Sequence, residues 1–404
     1  MNDQTVLIAG AGPVGVLNAL GLAQAGIRVT LMERGSSVVQ SPRAMVYHWS
    51  VLEGLENLGI LEEAVSRGFT KQDYTYKVYK TGEEISFGLQ PLENIVKHPH
   101  NLHLGQNALV EIALEKLRNF PNAEVLWNTS VQAVDQSPSG VQVSVIRNGA
   151  PEVITGSWLI GADGAGSTVR SAIGLEFEGI TWPERFVATN LRFDFEKHGW
   201  GQTTLLIDDQ YGAIVTKIDT SGLWRYTYCE DATLPVDGVA ARMPAFFDAV
   251  FPGLEGIEVE AFSPYSMHQR AATSFRKGRV LLAGDAAHAT NPTGGLGLTS
   301  GLFDTYVLYE ALAAVICGDA PEEVLDRYAE ERRKVFLEIA SPTASNNKRL
   351  VYHSDDPVRL EEDLAALRQL TVNREALMTR LMFPKSLETP SLISTSANPE
   401  SSVA

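Results

Sequence analysis

Residues 5–15, Thr-Val-Leu-Ile-Ala-Gly-Ala-Gly-Pro-Val-Gly, run from a short apolar stretch straight into the spacing Gly10-x-Gly12-x-x-Gly15. The first five residues read as a strand buried on both faces, and the residues from Pro13 to about Ala25 keep the apolar spacing of a helix. Gly26 closes that helix, and residues 28–33 (Arg-Val-Thr-Leu-Met-Glu) form a second strand. Strand, glycine turn, helix and strand in this order make one β-α-β unit. Its glycines let the main chain approach a pyrophosphate placed at the helix N-terminus. Glu33 stands 21 residues after Gly12 and ends the second strand, where a carboxylate accepts hydrogen bonds from an adenosine ribose. The same carboxylate would repel a 2′-phosphate, which argues against NADP at this position.

Outward from this unit, composition narrows the field. The chain has 404 residues, 44% of them hydrophobic, and a formal net charge of -16. That is enough apolar material for a large core and excludes disorder over most of the length. The negative balance repels nucleic-acid phosphates and anionic lipid, so small-molecule partners are expected, with no nucleic acid and no membrane. Cys229 and Cys317 lack the paired spacing of a zinc or redox site, so neither a metal nor a disulfide framework is expected. The N-terminus lacks a basic leader and no run reaches the length of a membrane span, which makes a cytoplasmic location the expectation.

Two further stations punctuate the chain. Residues 158–160 read as a strand that feeds Gly161-Ala-Asp163-Gly164-Ala-Gly166-Ser-Thr-Val-Arg170. Residues 279–283 read as another buried strand that feeds Gly284-Asp285-Ala-Ala-His288-Ala-Thr-Asn-Pro292-Thr-Gly294-Gly295-Leu296-Gly297 and then a helix to about residue 316. Residues 181–264 alternate in the manner of strands and are rich in Trp, Tyr and Phe. Helical spacing dominates from 321 to about 382. The predicted organisation is α/β: a discontinuous Rossmann-like domain (1–70, 100–180 and 265–345), interleaved with a mixed β-sheet substrate domain (71–99 and 181–264). C-terminal helices (346–385) follow, then a Ser/Thr/Pro-rich tail (386–404) expected to be disordered.

The three stations together resemble the single-component FAD-dependent aromatic hydroxylases, the para-hydroxybenzoate and phenol hydroxylase family, over about residues 4–345. The resemblance implies one tightly but non-covalently bound FAD. Gly10, Gly12, Pro13, Gly15, Glu33 and Arg34 would hold its adenosine and pyrophosphate end, with Arg43 near the phosphates and Gln106 at the ribityl chain. Asp163, Gly164 and Arg170 would serve a motif shared between FAD and NAD(P)H. Gly284 and Asp285 would bind the ribityl and pyrophosphate region, and the loop Pro292, Gly294, Gly295, Leu296, Gly297 would pass beside the isoalloxazine. The helix after that loop points a positive end at the flavin edge that gains charge on reduction. With only one Rossmann fingerprint in the chain, NAD(P)H is expected to bind transiently over the surface.

The reaction implied by the resemblance is hydroxylation of a phenolic or hydroxylated heteroaromatic ring by O2 through a flavin C4a-hydroperoxide. Ionising the phenol helps, yet reference pKa values of ~10 and ~6.5 leave histidine about 5 kcal/mol short of doing so alone. Hydrogen bonds, positive potential or an intrinsically acidic substrate must supply the rest. His48, in Ala44-Met-Val-Tyr47-His48-Trp49, is the first candidate base. Tyr211, Tyr226 and His268 are the alternatives, while His288 is assigned to cofactor packing and Pro292 to the reacting face of the flavin. Tyr211, Trp224, Tyr226 and Tyr228 are candidates for a dry pocket lining. The chain is too short for the thioredoxin-like C-terminal domain of many phenol hydroxylases and lacks the Trp-x-Trp-x-Ile-Pro element of flavin halogenases. A flavin oxidase or dehydrogenase acting on a non-aromatic compound, and a non-catalytic flavin-binding protein, are the competing readings. The helices after Pro321 are expected either to form a homodimer surface or to cover the FAD domain.

Overall fold

The computed structural model of the chain describes residues 4–40, 44–253 and 255–393. A six-stranded sheet runs in the order Arg276–Lys277, Val280–Leu282, Trp158–Gly161, Thr5–Ala9, Arg28–Met32, Ala123–Leu126. Thr5–Ala9 lies at its middle, parallel to Trp158–Gly161 on one side and Arg28–Met32 on the other. Both faces of such a strand are covered, which is why Val6, Leu7 and Ile8 are all apolar and fully buried. The helix Pro13–Gln24 begins with proline in its first turn, where no N–H is needed, and buries most of its length. Against it packs Leu296–Cys317, long and apolar enough to cross a membrane, although 67% of its most apolar window is buried inside the fold. It is a core helix.

The second layer is an eight-stranded mixed sheet in the order His288–Ala289, Glu258–Ala272, Phe177–Arg192, Leu223–Asp231, Ala213–Lys217, Thr203–Ile207, Asp73–Val78, Glu84–Gly88. The last two strands come from the 71–99 insertion and join through the parallel pairing of Asp73–Val78 with Thr203–Ile207. The long strands Phe177–Arg192 and Glu258–Ala272 pair from Phe177↔Ala272 to Arg192↔Glu258, so the sheet overruns the boundaries expected at 181 and 264. Their ends reach into the cofactor layer and tie the two sheets together. A helix not foreseen from the sequence, Val239–Val250, covers the far face of this sheet.

The chain after residue 322 is helical: Glu323–Val335, Ser341–Tyr352, Pro357–Val372 and Arg374–Met382. The tail expected from residue 386 is held through 393, because Leu387 and Leu392 insert into the main core and Arg332 donates to the Leu387 carbonyl (2.7 Å) and to Thr389 Oγ1 (3.0 Å). Residues 394–404 lie outside the described residues.

Candidate active site

Between the two sheets lies a cavity of about 540 Å³, within the range of small-molecule clefts. One half is lined by main chain from all three glycine stations. Gly10 has φ +99°, and a Cβ there would stand 2.4 Å from the Ala162 carbonyl oxygen; at Gly15 it would stand 1.9 Å from the Gly10 oxygen. These two glycines make the turn possible. At Gly12, by contrast, an added Cβ meets nothing within 4 Å, because Gly12 faces the cavity. Glu33 accepts from the N–H groups of Ala11 (2.8 Å) and Gly35 (2.8 Å), which fixes its carboxylate on the cavity lining beside Arg34.

Asp163 and Gly164 also line the cavity, but both carboxylate oxygens of Asp163 are engaged by its own loop: Ser167 Oγ, Thr168 N (2.8 Å) and Val169 N (3.1 Å). Arg170 stands outside the lining. Its guanidinium donates to the carbonyls of Ala286 (2.8 Å) and Ala165 (2.7 Å) and lies 3.8 Å from the centre of the Phe177 ring, tying the second station to the third. Gly284, Asp285, Pro292, Gly294, Gly295 and Gly297 line the cavity, Leu296 turns into the core, and Gln106 closes the side. Gly294 (φ +96°) and Gly295 (φ +70°) take a left-handed backbone that delivers the first turn of Leu296–Cys317, with its unpaired N–H groups, to the cavity edge. Arg43 lies outside the described residues.

A buried ion cluster stands behind the third station. Asp304 Oδ2 accepts from Gly284 N (2.9 Å) and His288 Nε2 (2.6 Å), and Oδ1 accepts from Arg332 Nε (2.8 Å). All three side chains are fully buried. Burial alone would raise the Asp304 carboxyl, but His288 and Arg332 hold it down at about 2. The His288 ring also stacks on Phe336. Sequence reasoning missed this cluster. The available signal was Asp304 itself, the lone carboxylate in the apolar run 296–309.

The other half of the cavity is roofed by the eight-stranded sheet, and strand alternation decides which side chains it sees. Ala188, Thr203, Leu205, Ile214, Thr216, Arg225, Thr227 and Tyr265 point in. Trp224, Tyr226 and Tyr228 have the opposite parity and pack under Val239–Val250, with Tyr226 against Phe247 (5.5 Å) and Tyr228 against Phe246 (4.1 Å). Tyr211 packs tilted against Tyr79 (ring centres 5.1 Å apart) in the same cluster. The four aromatics expected to line the pocket therefore lie on the wrong face, and Tyr211 and Tyr226 are withdrawn as candidate bases. Burial also raises the Tyr226 hydroxyl well above its ordinary value. His268 meets Thr181 Oγ1 (2.9 Å) away from the lining.

His48 is in the cavity. Its Nε2 lies 2.9 Å from the Gly294 carbonyl oxygen, which can only accept, so Nε2 carries the proton and Nδ1 is left as an acceptor. Tyr74 Oη lies 3.4 Å from Nδ1, and Asn101 Nδ2 donates to that same Oη. Asn101 is oriented in turn by the Trp49 N–H, which donates to its Oδ1 (3.0 Å). Donation thus runs Asn101 to Tyr74 to His48 to Gly294. Burial lowers His48 below the usual histidine value, opposed by its bond to Gly294 and reinforced by the nearby Arg380 charge. Tyr74 is pushed up to about 12 by burial, against the pull of Asn101 and Arg380. Arg380 itself donates to Tyr76 Oη (2.9 Å). Burial also lowers Arg225, in the roof, to about 10.

A trough with main-chain donors along one half, a carboxylate at its ribose end and a polar pocket at the other is the site of a flavoprotein. The open face of Gly12, which no side chain among the described residues fills, is the observation that fits FAD best. The chain belongs to the FAD binding domain family, which matches residues 3–341. It is an FAD-dependent monooxygenase. It is 44% identical over 387 residues to 6-hydroxy-3-succinoylpyridine 3-monooxygenase of Pseudomonas putida strain S16, an alignment covering 96% of this chain and 98% of that one. Para-nitrophenol 4-monooxygenase of Pseudomonas sp. strain WBC-3 is 41% identical over 396 residues, covering 95% and 98%. Among solved structures, the p-nitrophenol 4-monooxygenase of Pseudomonas putida DLL-E4 superposes with a TM-score of 0.92 at 38% identity, covering 96% of this chain and 99% of that one.

Proposed function

We propose that this chain hydroxylates a small phenol or hydroxypyridine with O2 and a transiently bound NAD(P)H, at the ring carbon para to the substrate's own hydroxyl. In the names of both relatives the attacked position is para to the hydroxyl and already carries a substituent: the succinoyl group at C3 of the pyridine, the nitro group at C4 of the phenol. The observation that carries the reading to this chain is the Tyr74–His48 pair in the pocket, with its fixed direction of proton donation.

FAD, when bound, would supply the activation of O2, from which the transferred oxygen atom comes. The first station, Glu33 and the Gly284–Asp285 turn position it; the glycine loop 294–297 leaves room for its ring. The chain's own proton chemistry is at His48. A substrate hydroxyl placed on Tyr74 passes its proton to Tyr74 Oη as Tyr74 gives its own to His48 Nδ1. Because Tyr74 is held near 12, it does not rest as an anion, and the two transfers are concerted. Arg380, beside both residues, contributes the positive potential that histidine alone lacks for ionising a phenol. Asp163 and Arg170, occupied by loop contacts, act in holding the second station rather than in touching substrate.

The test is NAD(P)H oxidation under air by FAD-loaded protein, with phenol, 4-nitrophenol and 6-hydroxypyridine-3-carbonyl compounds, following peroxide and released nitrite. A large stimulation with nitrite formed in step with NAD(P)H consumption is the expected result. Stimulation without ring oxidation, all reducing equivalents appearing as peroxide, would contradict the reading.

A further inference from the structure

The loop that carries Pro292, Gly294 and Gly295 alternates its faces. Thr290, Pro292 and Gly294 line the cavity, while Asn291 and Thr293 between them are fully buried behind it. That buried side is held by residues that stand outside the lining. Gln269, on the strand Glu258–Ala272, places one amide oxygen where three donors of the loop meet it: Thr290 Oγ1 (3.0 Å), Asn291 N (3.3 Å) and Asn291 Nδ2 (3.1 Å). Its Nε2 donates to the carbonyl oxygen (3.1 Å) and to Oγ (2.7 Å) of Ser341, the first residue of the helix Ser341–Tyr352. Two main-chain groups settle the orientation of this amide, because the Asn291 N–H can only donate and the Ser341 carbonyl can only accept. Asn291 passes the constraint on, since its Oδ1 accepts from Thr293 N (3.1 Å).

The same helix meets the loop again at Asn347. Its Nδ2 lies 3.4 Å from the Thr293 carbonyl oxygen, and a Cβ added to Gly294 would stand 2.6 Å from that nitrogen. Gly295 faces His48 in the same way, with an added Cβ 3.2 Å from Nε2. A side chain at either glycine would therefore displace one of the two. The Gly294 carbonyl, 2.9 Å from His48 Nε2, decides the tautomer of that ring. With the carbonyl withdrawn, the proton is free to sit on Nδ1 and point at Tyr74 Oη, which already receives Asn101. Tyr74 then has no acceptor to which it can hand on a substrate's proton.

Resting on the proton chemistry proposed above, we infer that Gln269 and Asn347 are positioning residues for it. By holding Thr290, Asn291 and Thr293 they fix the Gly294 carbonyl, and that carbonyl keeps His48 protonated on Nε2 with Nδ1 open to Tyr74. The helix Ser341–Tyr352, which contributes nothing to the described lining, thereby becomes a working part of the site.

The experiment uses the FAD holoenzyme with histidine labelled at its ring nitrogens, and reads the His48 tautomer by NMR at a pH well above the ordinary histidine value of ~6.5. The His48 signals are those missing from His48→Gln. In wild type the protonated nitrogen should be Nε2. In Gln269→Leu the ratio of Nε2–H to Nδ1–H should fall about 3- to 10-fold, the worth of one neutral hydrogen bond, and turnover should fall with it, while 4-nitrophenol still binds within about threefold of wild type. Asn347→Leu should move the ratio in the same direction, and it alone decides should Gln269→Leu not retain FAD. A tautomer ratio that stays at the wild-type value in the FAD-loaded variants would overturn the assignment, whatever happens to turnover. A shifted ratio with turnover at the wild-type rate would leave the two residues in place and remove the proton chemistry assigned to His48 instead.

Discussion

The two halves of the cavity are built from different material. In the cofactor half, Gly10, Gly12, Gly284, Gly294 and Gly295 bring main chain to the lining, beside the side chains of Glu33, Arg34, Gln106 and Asp285. Across from it, the sheet presents Tyr74, Thr203, Thr216 and Arg225. Main chain cannot be edited residue by residue, so the first half tolerates little and holds one kind of ligand. Side chains on a paired sheet can be exchanged while the pairing stays intact, so the second half is where a new substrate is selected.

That contrast orders the expected effects of substitution. The largest is in the main-chain half. Gly15→Ala would place a methyl group 1.9 Å from the Gly10 oxygen, and should leave protein that retains no FAD or does not fold, at the upper end of single-residue effects, ~4 kcal/mol or more. Flavin content of the purified variant checks it, and normal loading would erase the distinction drawn here. Next comes the cluster behind the Gly284 turn. Asp304→Leu strips a fully buried Arg332 of its carboxylate partner and takes away the acceptor of the Gly284 N–H, for a loss of about 3–5 kcal/mol. Urea unfolding with and without added FAD measures it, and a gap between the two curves that shrinks relative to wild type ties the cluster to cofactor holding.

In the side-chain half, His48→Gln and Tyr74→Phe should retain FAD while turnover falls, by ~10²–10⁴ for an acid–base role. Loss of FAD in parallel with turnover would break the comparison. The pH dependence has a fixed sign. His48 works as the neutral base and its midpoint is lowered by burial, so activity should be full above the ordinary histidine value of ~6.5 and decline only as the pH falls below it. The smallest effect is expected on the far face of the same sheet. Tyr226 Oη is buried without a hydrogen-bond partner among the described residues, so Tyr226→Phe should leave turnover within about threefold and change stability by no more than ~1 kcal/mol. A large fall in turnover would mean that the strand faces are assigned the wrong way round.

The same contrast explains what could be read from the sequence. Gly10, Gly12, Gly15 and Glu33 announce themselves because the turn they form is local and forbids side chains, so spacing alone is diagnostic. The roof is not local. Whether Arg225 or Tyr226 faces the ligand depends on one residue of parity, and in an aromatic-rich strand with apolar packing on one face and a ligand on the other, hydrophobicity marked the core face, not the pocket. Tyr74 belongs to a strand joined in parallel to one more than a hundred residues away, a pairing no local pattern reveals. His48 was found because it sits close behind the first station; its partners Asn101 and Arg380 were not, since they arrive from separate elements. The C-terminal segment was misjudged for a related reason: Ser, Thr and Pro between residues 386 and 393 masked two leucines that the core holds.

The central claim, that side chains of the roof ionise and align a ring over a cofactor held by main chain, is tested most directly by the spectrum of 4-nitrophenol bound to the oxidised holoenzyme. Measured across pH, the ring bound to wild type should appear as phenolate at least one unit below its midpoint in free solution, and Tyr74→Phe should cancel most of that shift. A ligand bound as the neutral phenol in wild type, or a shift unchanged in Tyr74→Phe, would contradict the account.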